Sequence, residues 1–157
     1  MSKKYTTPFV AAVAGGAVLA LAAVCAQPVS AGTVEVAAMT EMKDPLTKQP
    51  GDAAKGKGIF SNRKLGNCLA CHALEAMKEQ PFHGEVGPPL DGVGSNYSVA
   101  ELRLRVVDPK ALNPDTIMPA FYRAEGLNRV LKKFDGKSIL DAQQVEDLLA
   151  YLATLKE

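Results

Sequence analysis

The run Cys68-Leu69-Ala70-Cys71-His72 limits what this chain can fold into more tightly than any other feature. Its spacing, C-x-x-C-H, is the attachment pattern of c-type haem. Each thiol can add across one vinyl group of the porphyrin, and the histidine that follows is placed below the iron as proximal ligand. A prosthetic group fixed to one turn of backbone forces the rest of the chain to build its core around it. The composition suits this: aromatic residues make up only 6% of the chain and tryptophan is absent, so the porphyrin supplies much of the core. A zinc site would need more ligands than Cys68, Cys71, His72 and His83 supply. A thioredoxin-type redox pair would need a strand ahead of the motif and a βαβ setting. Neither pattern is visible.

A haem bound in this way needs a group on its far face. Met39, Met42, Met77, Met118 and His83 are the candidates. Met77 is five residues past His72 and too near to cross the ring, and Met39 and Met42 belong to a polar arm. Met118 lies in Asn113-Pro114-Asp115-Thr116-Ile117-Met118-Pro119, where two prolines stiffen a loop that could hold a thioether against iron. Met118 is therefore the expected sixth ligand and His83 its alternative. A thioether favours ferrous iron and raises the reduction potential, which suits an electron acceptor.

The first residues have the make-up of an export signal. Lys3 and Lys4 precede an uncharged, alanine-rich stretch from Phe9 to Ala26, and Val29-Ser30-Ala31 provides small residues for a signal peptidase. Cleavage is expected after Ala31, with Ala26 as the second site. The apolar run is at the short end for a spanning helix, so no membrane anchor is expected. Cys25 falls in this leader, leaving two cysteines in the exported chain. Loss of Lys3 and Lys4 leaves 16 of the 18 basic residues against 17 acidic ones. A nearly neutral protein has no large positive field to steer it, and no nucleic-acid signature is present.

The remaining pattern is helical. Asp52 is a plausible N-cap for a helix reaching about Asn62, with Ile59 and Phe60 on its buried side. Gly56 and Gly58 each cost this helix about 1 kcal/mol relative to alanine, which calls for a reason such as close approach of another helix. Val99 to Val107 reads as a second helix, with Leu102, Val106 and Val99 inward, ended at Asp108-Pro109. The last is the clearest. Asp141 and Gln144 form a capping box, Leu140 and Val145 a hydrophobic staple, and Val145, Leu148, Leu149, Leu152 and Leu155 one apolar stripe. Gly56 and Phe60, a notch and a knob one turn apart, pair the first helix with the last. Gln80 to Asn96, rich in proline and glycine, reads as loop. Gly32 to Gly51, with Pro45 and Pro50, reads as an extended arm, either a flexible tail or a strap that orders against a partner. The chain is all-α, with no internal repeat that would mark a second haem domain.

Cys68 to His72, Gly87-Pro88-Pro89-Leu90 and the Met118 loop, set between two helices that pair through Gly56 and Phe60, resemble the class I cytochrome c fold. The segments Gly66 to Leu74, Leu104 to Pro109, Asn113 to Tyr122 and Ala142 to Asp147 resemble the SoxX family, the small haem subunits of the SoxAX cytochromes of bacterial sulfur oxidation. The likeness covers about Gly58 to Lys156. It implies three to five helices around one haem c; together with the leader and arm read above, the expected organisation is 1–31 signal peptide, 32–51 arm and 52–157 cytochrome domain. It further implies that the Pro88 carbonyl accepts the Nδ1 proton of His72 and that Leu90 packs on the haem. Ser95 departs from the pattern: many proteins of this fold have an arginine near there for a haem propionate. Arg103, Arg105 and Arg123 are either its substitutes or surface and partner-facing charges.

The resemblance also implies the reaction. SoxAX oxidatively joins thiosulfate to a cysteine of the carrier SoxYZ and passes two electrons to an external cytochrome c, in the periplasm. The catalytic cysteine belongs to SoxA, so no catalytic residue is expected in this chain, which would be the electron-transfer subunit of an L-cysteine S-thiosulfotransferase. The alternative is a free-standing soluble electron carrier. The arm and the near-neutral charge favour the subunit.

Overall fold

Asp52 starts the first helix by accepting hydrogen bonds from the amides of Ala54 and Lys55 through its carboxylate. A cap of this kind contributes about 1 kcal/mol. The computed structural model describes residues 40–157. The expected signal peptide, its two cleavage points and residues 32–39 of the arm, including Met39, lie outside the described residues. Four α-helices follow one another: α1 (Ala53–Ser61), α2 (Val93–Asn96), α3 (Val99–Val107) and α4 (Ala142–Leu152). Short 3-10 turns occupy Cys68–Ala70, Glu75–Met77, Pro109–Ala111 and Lys132–Phe134, and the described residues contain no strand.

The α1 and α4 pair frames the core. A Cβ on Gly56 would stand 2.0 Å from the Asp147 carbonyl oxygen, so only glycine lets the two backbones meet there. One turn on, Phe60 is fully buried and meets Tyr151 edge-on with ring centroids 5.5 Å apart. Such a pair adds about 0.5–1.5 kcal/mol to the burial itself. Gly58 differs from the expectation that both glycines mark a contact, because a Cβ there would meet nothing. The capping box of α4 forms as expected, the Gln144 amide donating to Asp141 and the Asp141 amide to Gln144. Leu140, Val145, Leu148, Leu149 and Leu152 are all buried, and Leu155 continues their stripe from the turn beyond the helix.

Helix α3 runs over the predicted residues and ends at Asp108. Its N-terminus carries a second capping box, between Ser98 and Glu101. Leu102, Leu104, Val106 and Val107 are buried, whereas Val99 is 41% exposed and not on the inner face. Helix α2 interrupts what reads in sequence as uniform loop. A single turn behind Gly92, which has φ +70°, is too short to show a period.

Thr40 to Gly51 forms no helix and lies against α3 and α4. The Met42 amide donates to the Ala100 carbonyl, and the Leu46 amide to Glu146 Oε1 at 2.9 Å. Thr47 Oγ1 donates to Gln143 Oε1, and the Gln143 amide group in turn to the Pro50 carbonyl. Beneath them Arg103 of α3 grips Glu146 of α4 with two hydrogen bonds of 2.8 and 2.9 Å. The same guanidinium donates to the Met42 carbonyl at 2.8 Å. Arg103 is only 4% exposed, so it is neither a surface charge nor free to meet a propionate.

Candidate haem site

The motif forms a tight turn. Asn67 enters it at φ +50°, and the amides of Cys71 and His72 both donate to the Cys68 carbonyl. This points both cysteines and the histidine at one space. The chain from Gly84 to Leu90 is laid along the motif by three hydrogen bonds: Gly84 N to Leu69 O, Gly87 N to Cys71 O and Leu90 N to Ala73 O. That register puts the Pro88 carbonyl 2.7 Å from His72 Nδ1. The imidazole donates there and keeps Nε2 as its electron-pair donor, the tautomer a proximal ligand requires. A Cβ on Gly87 would fall 2.3 Å from the ring, so the close approach of the backbone requires glycine.

The Met118 loop forms a second wall. Lys110 Nζ donates to the Thr116 carbonyl, Thr116 Oγ1 accepts from the Met118 amide, and Asn113 Oδ1 accepts from the Asp115 amide. The Phe121 amide then returns the chain to α3 at the Val106 carbonyl. Between the two walls lies a cavity of about 710 Å³. Cys68, Cys71, His72, Pro88, Leu90 and Met118 all line it, so the structure brings these six expected site residues together. Phe60, Leu102, Val106, Leu148 and Leu152 close its back, joining it to the helical core.

The residues fit a covalent haem. The cavity is largely apolar, two thiols stand at one wall beside an oriented imidazole, and Gly87 keeps the space free that a Cβ would fill. The free Cys68 thiol stands where a haem thioether would form. Burial, more than the nearby Cys71, pushes its pKa up to about 12 against the opposing pull of a backbone hydrogen bond, so it is a neutral thiol before attachment. His83 is turned elsewhere: Nδ1 accepts from the Leu74 amide at 3.3 Å, and Nε2 lies 3.1 Å from the Met77 carbonyl to which it donates. Met77 is buried in the core and does not reach the cavity wall.

Sequence reasoning left three arginines as equals, and the structure separates them. Arg103 holds Glu146 and Arg123 holds Asp108 at 2.8 Å. Arg105 is the one Lys or Arg side chain on the cavity wall among the described residues. Its guanidinium stacks 4.0 Å above the Tyr97 ring and donates to the Glu101 carbonyl. Tyr97 was missed in the sequence, because a residue just outside the α3 cap has no periodic relation to Arg105.

A small helical core wrapped around a cavity with two thiols, an oriented histidine and a methionine on its wall defines a single-haem electron-transfer protein. A family model for cytochrome c matches residues 53–156. The chain is also similar to the crystal structure of SoxXA from P. pantotrophus, with 41% identity over 75% of this chain and 91% of that one, and a TM-score of 0.69. The chain belongs to the cytochrome c family, as a SoxX-like electron-transfer cytochrome of class I fold with covalently bound haem c. A comparison with curated proteins finds no match.

Proposed function

We propose that this chain is the electron-transfer subunit of a periplasmic SoxAX-type L-cysteine S-thiosulfotransferase. In this reading it pairs with a SoxA cytochrome. Electrons released when thiosulfate is joined to a SoxYZ cysteine pass through it to an external cytochrome c. The observation that carries the reading is the 41% identity with SoxXA over 91% of the matched chain. The cysteine inventory supports it: with Cys68 and Cys71 given to thioethers and Cys25 in the expected leader, no thiol remains for sulfur chemistry. No helix among the described residues is long and apolar enough to cross a membrane.

The haem c supplies a one-electron couple. Cys68 and Cys71 would hold it covalently, His72 and Met118 would supply the nitrogen and sulfur donors to its iron, and Leu90 would pack against it. Pro88, by accepting the Nδ1 proton, fixes the His72 ring and raises its basicity. Arg105, braced by Tyr97, is the cation available to a propionate. The test is co-expression with a SoxA subunit, followed by gel filtration and haem counting. Co-elution as a complex with one haem more than SoxA alone is expected. A chain that runs as a monomer beside SoxA at micromolar concentration would sink the proposal.

A further inference from the structure

Seventeen residues, Arg123 to Ile139, leave the helical core and return to it with a single 3-10 turn as their only regular structure. Loops of more than roughly 12–15 residues without structure of their own are uncommon in compact domains and usually functional. The closing end of this one meets the haem wall. The Arg123 amide donates to the Val107 carbonyl, and the Leu140 amide closes the excursion on the carbonyl of Phe121, whose side chain lines the cavity.

Its charge sets it apart. The loop holds five basic residues against two acidic ones, whereas the rest of residues 40–157 hold eleven against fourteen. Arg123 is held by Asp108 at the foot of the loop. Arg129, Lys132, Lys133 and Lys137 are exposed, and none pairs with a carboxylate among the described residues, neither with Glu125 and Asp135 of the loop nor with any other. Leu131, 67% exposed, stands directly before the two lysines. Lys133 lies over the Phe134 ring at 4.6 Å, which limits its freedom, and Arg129 adopts φ +58°. Exposed, unpaired cations in one segment with an exposed apolar residue have the make-up of a transient docking site: charge steers the encounter and a small apolar contact holds it briefly. A permanent subunit interface would be more apolar. The two acids within the loop and the lack of an amphipathic helix argue against a lipid surface.

We infer that Arg123 to Ile139 is the docking platform for an acidic redox protein that exchanges electrons with this chain, Arg129, Lys132, Lys133 and Lys137 meeting its carboxylates and Leu131 its apolar centre. The inference rests on the electron-transfer reading but not on the thiosulfate chemistry. The partner's docking face is therefore acidic, which a nearly neutral chain would not otherwise select.

The test uses the haem-loaded chain with plant plastocyanin, an acidic copper protein, as probe. In stopped flow, one electron leaves the ferrous chain and reduces one cupric copper. Binding is read separately by NMR titration with redox-inert cadmium plastocyanin. Lys132→Glu/Lys133→Glu should lower both the bimolecular rate and the affinity by about tenfold at low ionic strength, and added salt should erase the difference. Lys132→Gln/Lys133→Gln should fall between. An unchanged haem spectrum shows that the variants are folded. Co-elution of the reversed variant with SoxA should persist; its loss with an unchanged plastocyanin rate would assign the loop to the permanent interface and overturn the inference. Equal rates for all variants would overturn it, as would binding to phosphatidylglycerol vesicles without binding to plastocyanin. If the wild-type chain ignores SoxA, the thiosulfotransferase proposal fails while the plastocyanin result still judges the loop.

Discussion

Met118 and His83 compete for the same role in the sequence, and their surroundings differ sharply. The half-buried Met118 lies on the wall of the cavity that His72 also lines, while both ring nitrogens of His83 are occupied by the backbone of Leu74 and Met77. Met118→Ala is expected to abolish the sulfur-to-iron absorption band at the red end of the ferric spectrum, and His83→Ala to leave it in place. A band that survives Met118→Ala would remove Met118 from the ligand set. Gly87 sets a second condition at this scale. A methyl group there would collide with His72 Cε1 and Nδ1 and push the ring off the Pro88 carbonyl. That bond raises the basicity of the imidazole and so favours ferric iron. Gly87→Ala should accordingly raise the reduction potential of whatever haem-loaded protein forms, as read by redox titration.

Two glycines on one helix separate what packing requires from what it only tolerates. Gly56→Ala would place a Cβ 2.0 Å from the α4 backbone, so α1 and α4 must part and the Phe60–Tyr151 contact must loosen. Overpacking of this kind typically costs about 1–3 kcal/mol. Gly58→Ala meets no neighbour and improves the helix, and it should stabilise by about 0.5–1 kcal/mol. Chemical denaturation of the holoprotein should therefore move the two midpoints in opposite directions. The limits of sequence reading follow the same division. Caps, staple and stripe were legible because their partners lie three to five residues apart. Gly56 was legible because a glycine in a helix interior needs a reason, whereas Gly58 has none in the packing and raised the same expectation. Arg103 and Tyr97 were not legible. The partner of Arg103 is 43 residues away, and Tyr97 meets Arg105 only because the chain turns at Ser98.

At the scale of the whole molecule, the Arg103–Glu146 pair ties the arm to the helices. Glu146 Oε1 accepts from both Arg103 and the Leu46 amide, which lies 100 residues away in the chain. Burial tends to raise its pKa, but the Arg103 and Leu46 hydrogen bonds and the Arg103 charge outweigh this and hold it below the ordinary carboxylate value of 4.5. With the folded-state pKa depressed, the contribution of Glu146 to stability is fully present above about pH 4.5 and is lost as pH falls through the lower folded-state value. Glu146→Gln should remove that part of the acid dependence and lower stability at pH 7 as well, because it leaves the Arg103 charge buried without a counter-ion. Breaking one side of such a pair costs about 3–5 kcal/mol, whereas replacing both sides by apolar residues is often close to neutral. The double variant Arg103→Met/Glu146→Leu should therefore be more stable than Glu146→Gln, although it abolishes more polar contacts. It should still free the arm, since the Met42 carbonyl and the Leu46 amide both lose their partners. Amide hydrogen exchange separates the two effects. Exchange at Leu46 should quicken more in the double variant, which has no side-chain oxygen left to accept from that amide, while global unfolding moves strongly only in Glu146→Gln. Slow exchange at Leu46 in the double variant would mean that the arm is held by its contacts with Gln143 and Ala100 alone, and that the buried pair serves only to join α3 to α4.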